Sequence, residues 1–227
     1  MRKAPASLCT EDFSAQREWT VEGIPVLSAS LTLPRPVCSD TRTARRIERY
    51  YRAMQRSYLA YCEHLLFPRS AEAAQAAIRS SMPLPHDSAV LNYQITWNRD
   101  GIWSLYIQSR ESLDGRRAEL LRRGDTWDLL TGYPLALSEF FPRRSAWRKQ
   151  LRSFAAQEIR RQEADGTACY QDGWPRRLRH FNSENFYLCE EGLCFFYPMY
   201  ALAPPAEGIP VFCLPFAPEG PRLPGRT

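Results

Sequence analysis

Between Ile47 and Leu65 the apolar side chains return at helical steps: Ile47, Tyr50, Met54, Tyr58, Tyr61 and Leu65 stand three or four residues apart, which places them on one face of a long α-helix. A stripe of that length must be covered by another layer, and this limits the folds open to the chain. Asp40 stands where an N-cap belongs and Pro68 where the helix should stop. The tyrosines suit packing by ring faces on a sheet, and the same spacing would suit a ligand box.

The covering layer reads as strands. Trp19 to Leu33 alternates, with Leu27, Ala29, Leu31 and Leu33 on one face, and Pro34 and Pro36 end it. Leu91, Tyr93, Ile95 and Trp97 share a face, Asn98 to Gly101 supplies turn chemistry, and Trp103, Leu105 and Ile107 return as a hairpin. Ala118 to Asp128 makes a further strand, with Gly115 and Gly124 marking breaks. A second, shorter helix follows Pro68, capped by Ser70; Thr131-Gly132 is a turn and Ser138 a cap. Pro142 leads into a long helix whose Trp147, Leu151, Phe154 and Ile159 face inward and which Gly166 closes. Phe186 to Cys189 and Leu193 to Tyr200 form a hairpin around Glu191-Gly192, followed by a strand from Val211 to Phe216.

Strands and helices come in blocks, so the expected class is α+β: an antiparallel sheet with two long amphipathic helices packed on it. Residues 1–18 read as an N-terminal extension and 19–216 as one domain, divisible into subdomains 19–110 and 111–216. The Pro/Gly-rich residues 217–227 read as a disordered tail.

No stretch is apolar enough to span a membrane, and Glu11 and Asp12 interrupt any export signal after the basic start, so the sequence as written reads as cytoplasmic and not membrane-inserted. The 7 cysteines leave at least one unpaired in any scheme within one chain and lack the paired spacing of a zinc knuckle. No cofactor or metal is expected. His64, His86 and His180 are far apart, Lys3 and Lys149 are the only lysines, and there is no nucleophile elbow, dinucleotide fingerprint or phosphate loop. Cys62 or Cys169 with His180 could form a thiol-imidazole pair, but the expectation is a protein that is not an enzyme.

Cys189 and Cys194 flank "EEGL", which sets them nearly opposite across a hairpin. They can form a disulfide after export, or otherwise a contact between two small side chains. Both faces of that hairpin are apolar, so both should be covered.

Two segments resemble the domain of unknown function that forms the ectodomain of RsiV-like anti-sigma factors: "TWDLLTGYPLALSEFF" (Thr126 to Phe141) and "NFYLCEEGLCFFYPMYALAPPAEGIPVFCLPF" (Asn185 to Phe216). Gly192, Phe195, Tyr200, Ala203, Pro204, Gly208, Ile209 and Pro215 fall where that family's pattern places them. The resemblance implies an extracytoplasmic α+β domain without known catalytic residues. Some members sense lysozyme, and others sit beside a peptidoglycan deacetylase domain.

Two surfaces are candidates for binding. Pro204, Pro205 and Gly208 would hold the loop after Tyr200 in one shape, and with Glu190, Glu191 and Glu207 this makes an acidic, stiff contact region for a protein such as lysozyme or a cell-wall component. The same loop could simply return the chain to its sheet. Arg143 to His180 holds 10 Lys+Arg against 4 acids, with Arg143, Arg144, Arg148, Lys149, Arg152, Arg176 and Arg177 as its basic stripe. It could steer an anionic polymer or be a solvated helix face; nucleic acid is not the expected partner. An unrecognised cell-wall hydrolase is the remaining alternative.

Overall fold

The computed structural model describes residues 7–37, 41–113 and 118–224. Asp40 and Gly115, expected to act as a cap and a break, lie outside them. The first six strands form one sheet in sequence order, β1 (Cys9–Val21), β2 (Ile24–Val37), β3 (Asp87–Arg99), β4 (Ile102–Ser112), β5 (Glu119–Asp128) and β6 (Tyr133–Pro134). The sheet is mixed, not wholly antiparallel, because β2 runs parallel to β3 from Leu27 to Leu31 while β1 pairs antiparallel with β2. That parallel pair follows from the helical crossover between β2 and β3.

The strand expected from Trp19 to Leu33 is in fact the end of β1, a turn and most of β2. Glu22 and Gly23, at φ 51° and 82°, make the turn. Of the residues assigned to an N-terminal extension, Cys9 to Glu18 therefore lie in β1. Pro34 and Pro36 do not end β2; they pair with Asp12 and Thr10 beyond the stretch that β3 lines. Standing two apart, they remove donors from one edge only.

Among the described residues one long helix, not two, packs on this sheet, and the stop expected at Pro68 is absent. α1 (Thr41–Tyr61), a π turn (Cys62–Leu66) and α2 (Phe67–Arg79) follow without a break. Pro68 sits in the first turn of α2, and the π turn before it, in which the Phe67 N–H donates to Cys62 O, carries the helix past a residue with no N–H to give. The extra residue also shifts the buried face to Cys62, Leu66, Ser70 and Ala74, so Leu65 points outward at 60% exposure. Ser70 is no cap: it is buried inside α2, and its hydroxyl donates to Asp87 Oδ2 at 2.6 Å.

Contacts divide the chain into two compact units, Met1–Tyr93, Ile107–Leu120 and Leu130–Gly132 in one, and Gln94–Tyr106, Leu121–Leu129 and Tyr133–Thr227 in the other. No single cut near residue 110 separates them, because β3, β4 and β5 each contribute to both. In the first unit, α1 packs on β2, with Ile47 and Tyr51 fully buried above the Leu27, Ala29, Leu31 and Leu33 face.

The tyrosine stripe of that helix serves a buried carboxylate. Glu111 on β4 accepts from Tyr61 Oη at 2.9 Å and from Tyr58 Oη at 3.4 Å. Burial, reinforced by Glu111, raises both phenols and pushes the Cys62 thiol up to about 12. Groups raised in the folded state contribute stability that is complete below their unfolded pKa and lost as pH climbs through the folded one. The melting temperature should therefore hold from about pH 7 to about pH 8.5 and fall progressively above about pH 9, where the unfolded thiol and then the phenols ionise. A melting temperature unchanged up to about pH 11 would contradict this account of the Glu111 cluster.

The second unit contains a separate three-stranded antiparallel sheet, β7 (Phe186–Cys189), β8 (Gly192–Phe196) and β9 (Val211–Pro215), in that order. It also holds α3 (Trp147–Ala164) and α4 (Trp174–Arg177). The helix expected from Pro142 starts only at Trp147, and the turn expected to be capped by Ser138 begins after Ala136, whose N–H donates to Glu139 Oε1 at 2.6 Å. One face of the small sheet, including Phe186, Leu188, Leu193, Phe195 and Phe212, packs into the core with Leu151, Ala155 and Ile159 of α3. Cys189 pairs with Gly192, whereas Cys194 pairs with Tyr187 and Cys213, so the two hairpin cysteines are diagonal neighbours. Within the segment expected to be a disordered tail, the Arg222 N–H donates to Phe140 O at 2.7 Å, and Leu223 packs on the core.

Candidate functional site

α3 buries Leu151, Ala155 and Ile159 and turns Lys149, Arg152, Ala156 and Arg160 toward a groove along its side. The far wall comes from α4 and the turn after it. Gly173, at φ 81°, starts α4, Pro175 sits in its first turn where a missing N–H costs little, and Trp174 and Leu178 are buried against the core. Arg179 then projects from the 3₁₀ turn Leu178–His180. The groove has a volume of about 490 Å³ and is lined by Lys149, Arg152, Ser153, Ala156, Arg160, Trp174, Pro175, Leu178 and Arg179.

Four cations and no carboxylate line this groove. Among the described residues, none of the four is in an ion pair. Glu158 and Asp165 of α3 and its end instead engage Arg161, at 2.9 and 3.1 Å. The Arg160 guanidinium lies 5.8 Å from the centroid of the Trp174 ring, close enough for a cation–π contact that orients it. Like charges around one groove favour an anion that enters it, and guanidinium forks suit phosphate or carboxylate oxygens.

The structure sorts the basic stripe expected from sequence. Lys149 and Arg152 line the groove. Arg143, Arg144 and Arg176 are exposed outside its lining, and Arg148 lies over Trp147 at 4.4 Å. Arg177 donates to Gln171 Oε1 and to Ala201 O. Sequence reasoning did not single out Arg160, Arg179 or Trp174. The steps 149, 152, 156 and 160 set the three α3 cations on one helical face and could have found Arg160.

The acidic, proline-rich region expected from sequence is divided. Glu190 and Glu191 occupy the β7–β8 turn, while Tyr200 to Gly208 follow the opposite end of β8, about 16 Å away along a five-residue strand. The loop itself is held in place. Gln171 donates through its N–H to Leu202 O at 2.8 Å and through its side chain to Ala203 O, and Glu207 Oε1 accepts from the Cys169 N–H at 3.2 Å. Pro204 and Pro205 lead into a 3₁₀ turn that Gly208 ends at φ 72°. Tyr200 stands out at 44% exposure. No hydrogen bond joins His180 to Cys62 or Cys169 among the described residues, and no helix there is long and apolar enough to cross a membrane.

Residues 138–217, which contain α3, the groove and the small sheet, match the family model described as "Protein of unknown function (DUF3298)". No curated protein matches the chain. Among the solved structures that share its fold are two from that family. One is a member of the DUF3298 family from Bacteroides fragilis, with TM-score 0.70 and 15% identity, covering 94% of this chain and 92% of that one. The other is a DUF3298 family protein from Pseudomonas aeruginosa, with TM-score 0.56 and 13% identity, covering 92% and 90%. The chain thus has the fold of two DUF3298 family proteins over nearly its whole length, and its C-terminal part carries the match to that family's model.

Proposed function

We propose that this is a non-catalytic, extracytoplasmic binding domain of the RsiV-like kind, and that it takes an anionic cell-wall polymer in the α3–α4 groove. The observation that carries this reading is the set of four cations, Lys149, Arg152, Arg160 and Arg179, around one groove without a lining carboxylate. The test is equilibrium binding of a poly(glycerol phosphate) chain over a salt series. Affinity should fall linearly on logarithmic axes as salt rises, because each neutralised phosphate releases counterions. Charge-assisted bonds are worth about 1.5–3 kcal/mol each, so Arg152→Glu with Arg179→Glu should weaken binding by about 100-fold or more. Salt-independent binding, or full binding by the double variant, overturns the reading.

A second reading rests on Tyr200, an exposed aromatic on a loop whose backbone is tied down. Such a loop loses little entropy on entering a cleft, and a protein such as lysozyme is the partner that the RsiV-like resemblance suggests. Calorimetry with lysozyme at low salt should then give measurable heat that Tyr200→Ala abolishes. The absence of heat removes that partner.

A further inference from the structure

On the face of the small sheet away from the main core, three cysteines from three strands converge. Cys194 on β8 is paired in register with Cys213 on β9, and Cys189, two residues after Tyr187 on β7, leans toward both. Cys189 Sγ lies 2.9 Å from Cys194 Sγ and 3.1 Å from Cys213 Sγ, and all three sulfurs fall within 4.8 Å of one another. All three thiols are free. Gly192 lets β9 close on β8 here, since a Cβ on it would sit 2.2 Å from Leu214 O.

We propose that Cys189, Cys194 and Cys213 form a three-thiolate site for a thiophilic d¹⁰ metal ion, zinc(II) or copper(I). Sulfur ligands at about 2.3 Å around one ion stand about 4 Å apart, so small rotations of the three side chains admit it. Soft thiolates select these two ions over harder cations. The ligands project from paired strands, which hold their spacing better than loops would. Tyr187, Phe196 and Val211 pack around them, and Cys194 is 5% exposed, so water has limited access. Zinc with three thiolates carries net negative charge, and the Arg122 guanidinium lies 4.2 Å from the Tyr106 ring at the edge of the same cluster. Binding forms three metal–sulfur bonds, releases the thiol protons to solvent and changes no oxidation state. The site is independent of the groove.

The test uses the full chain, reduced and stripped by chelator, then titrated anaerobically with zinc(II) or with copper(I) against a competing chromophoric ligand. One ion per chain is expected for at least one of the two, and the two titrations identify which. Without any mutation, the bound ion should slow alkylation of Cys189, Cys194 and Cys213 by more than about 10-fold, read by mass spectrometry, while the exposed Cys9 and Cys169 react unchanged. Cys213→Ser should weaken binding by about 100-fold, and Cys9→Ser with Cys169→Ser should leave it intact. Failure of both ions to bind, or alkylation rates unaffected by the ion, overturns the proposal. So does undiminished binding by the variant lacking all three cysteines.

Discussion

Gly124→Ala is expected to destabilise the second unit by about 3 kcal/mol or more, lowering the melting temperature by on the order of 10 °C. A Cβ at this position of β5 would stand 1.7 Å from Phe186 O and 2.6 Å from Phe186 C, and the atoms in the way are backbone. A flexible side chain could yield, but the start of β7 cannot do so cheaply. The buried Leu188 N–H donates to Ser104 Oγ at 2.9 Å, and that hydroxyl bonds Thr126 Oγ1 at 2.7 Å. Displacing β7 to make room strains this chain of polar contacts, and a buried group that loses its partner costs about 1–3 kcal/mol. A change smaller than about 1 kcal/mol in chemical denaturation would show that the strands do not approach this closely.

Phe195→Ala should cost about 3–5 kcal/mol, the range for deleting a fully buried ring. Phe195 is 0% exposed at the centre of the aromatic cluster, with ring centroids of Phe212, Phe181 and Phe154 at 5.5, 5.6 and 6.5 Å. Those neighbours come from β9, the segment after α4 and α3, so the cavity cannot collapse by moving one element alone. Urea unfolding of the variant measures the loss, and a cost under about 1 kcal/mol would contradict the packing described.

What could be read from the sequence was set by local signals. The β3–β4 hairpin was legible because Asp100 and Gly101, a pair suited to positive φ, interrupt two alternating runs. The β7–β8–β9 segment was legible for the same reason at Glu191-Gly192, but not its separation from the larger sheet, since pairing between distant strands leaves no local pattern. The β1–β2 turn went unread because Glu22-Gly23 is a weak turn signal and the paired prolines suggested a stop. Pro68 misled in the same way, because proline ends most helices but a π turn admits it.

The candidate sites divide along the same line. The α3 cations Lys149, Arg152 and Arg160 could be found by helical spacing, whereas Arg179 joins them only through the turn after α4. Gly124 read as a break because spacing does not reveal a backbone pressed against a glycine. Cys189 and Cys194 drew notice as hairpin neighbours, but Cys213 reaches them only because β9 returns beside β8 after a long loop.

The most direct test of the account is a map of backbone amide chemical-shift changes on titrating the full chain with poly(glycerol phosphate) at low salt. Changes should concentrate at Lys149 to Arg160 and Trp174 to Arg179, saturate with the binding isotherm and be reversed by added salt. Shifts centred instead on Tyr200 to Gly208, or none at saturating polymer, would contradict it.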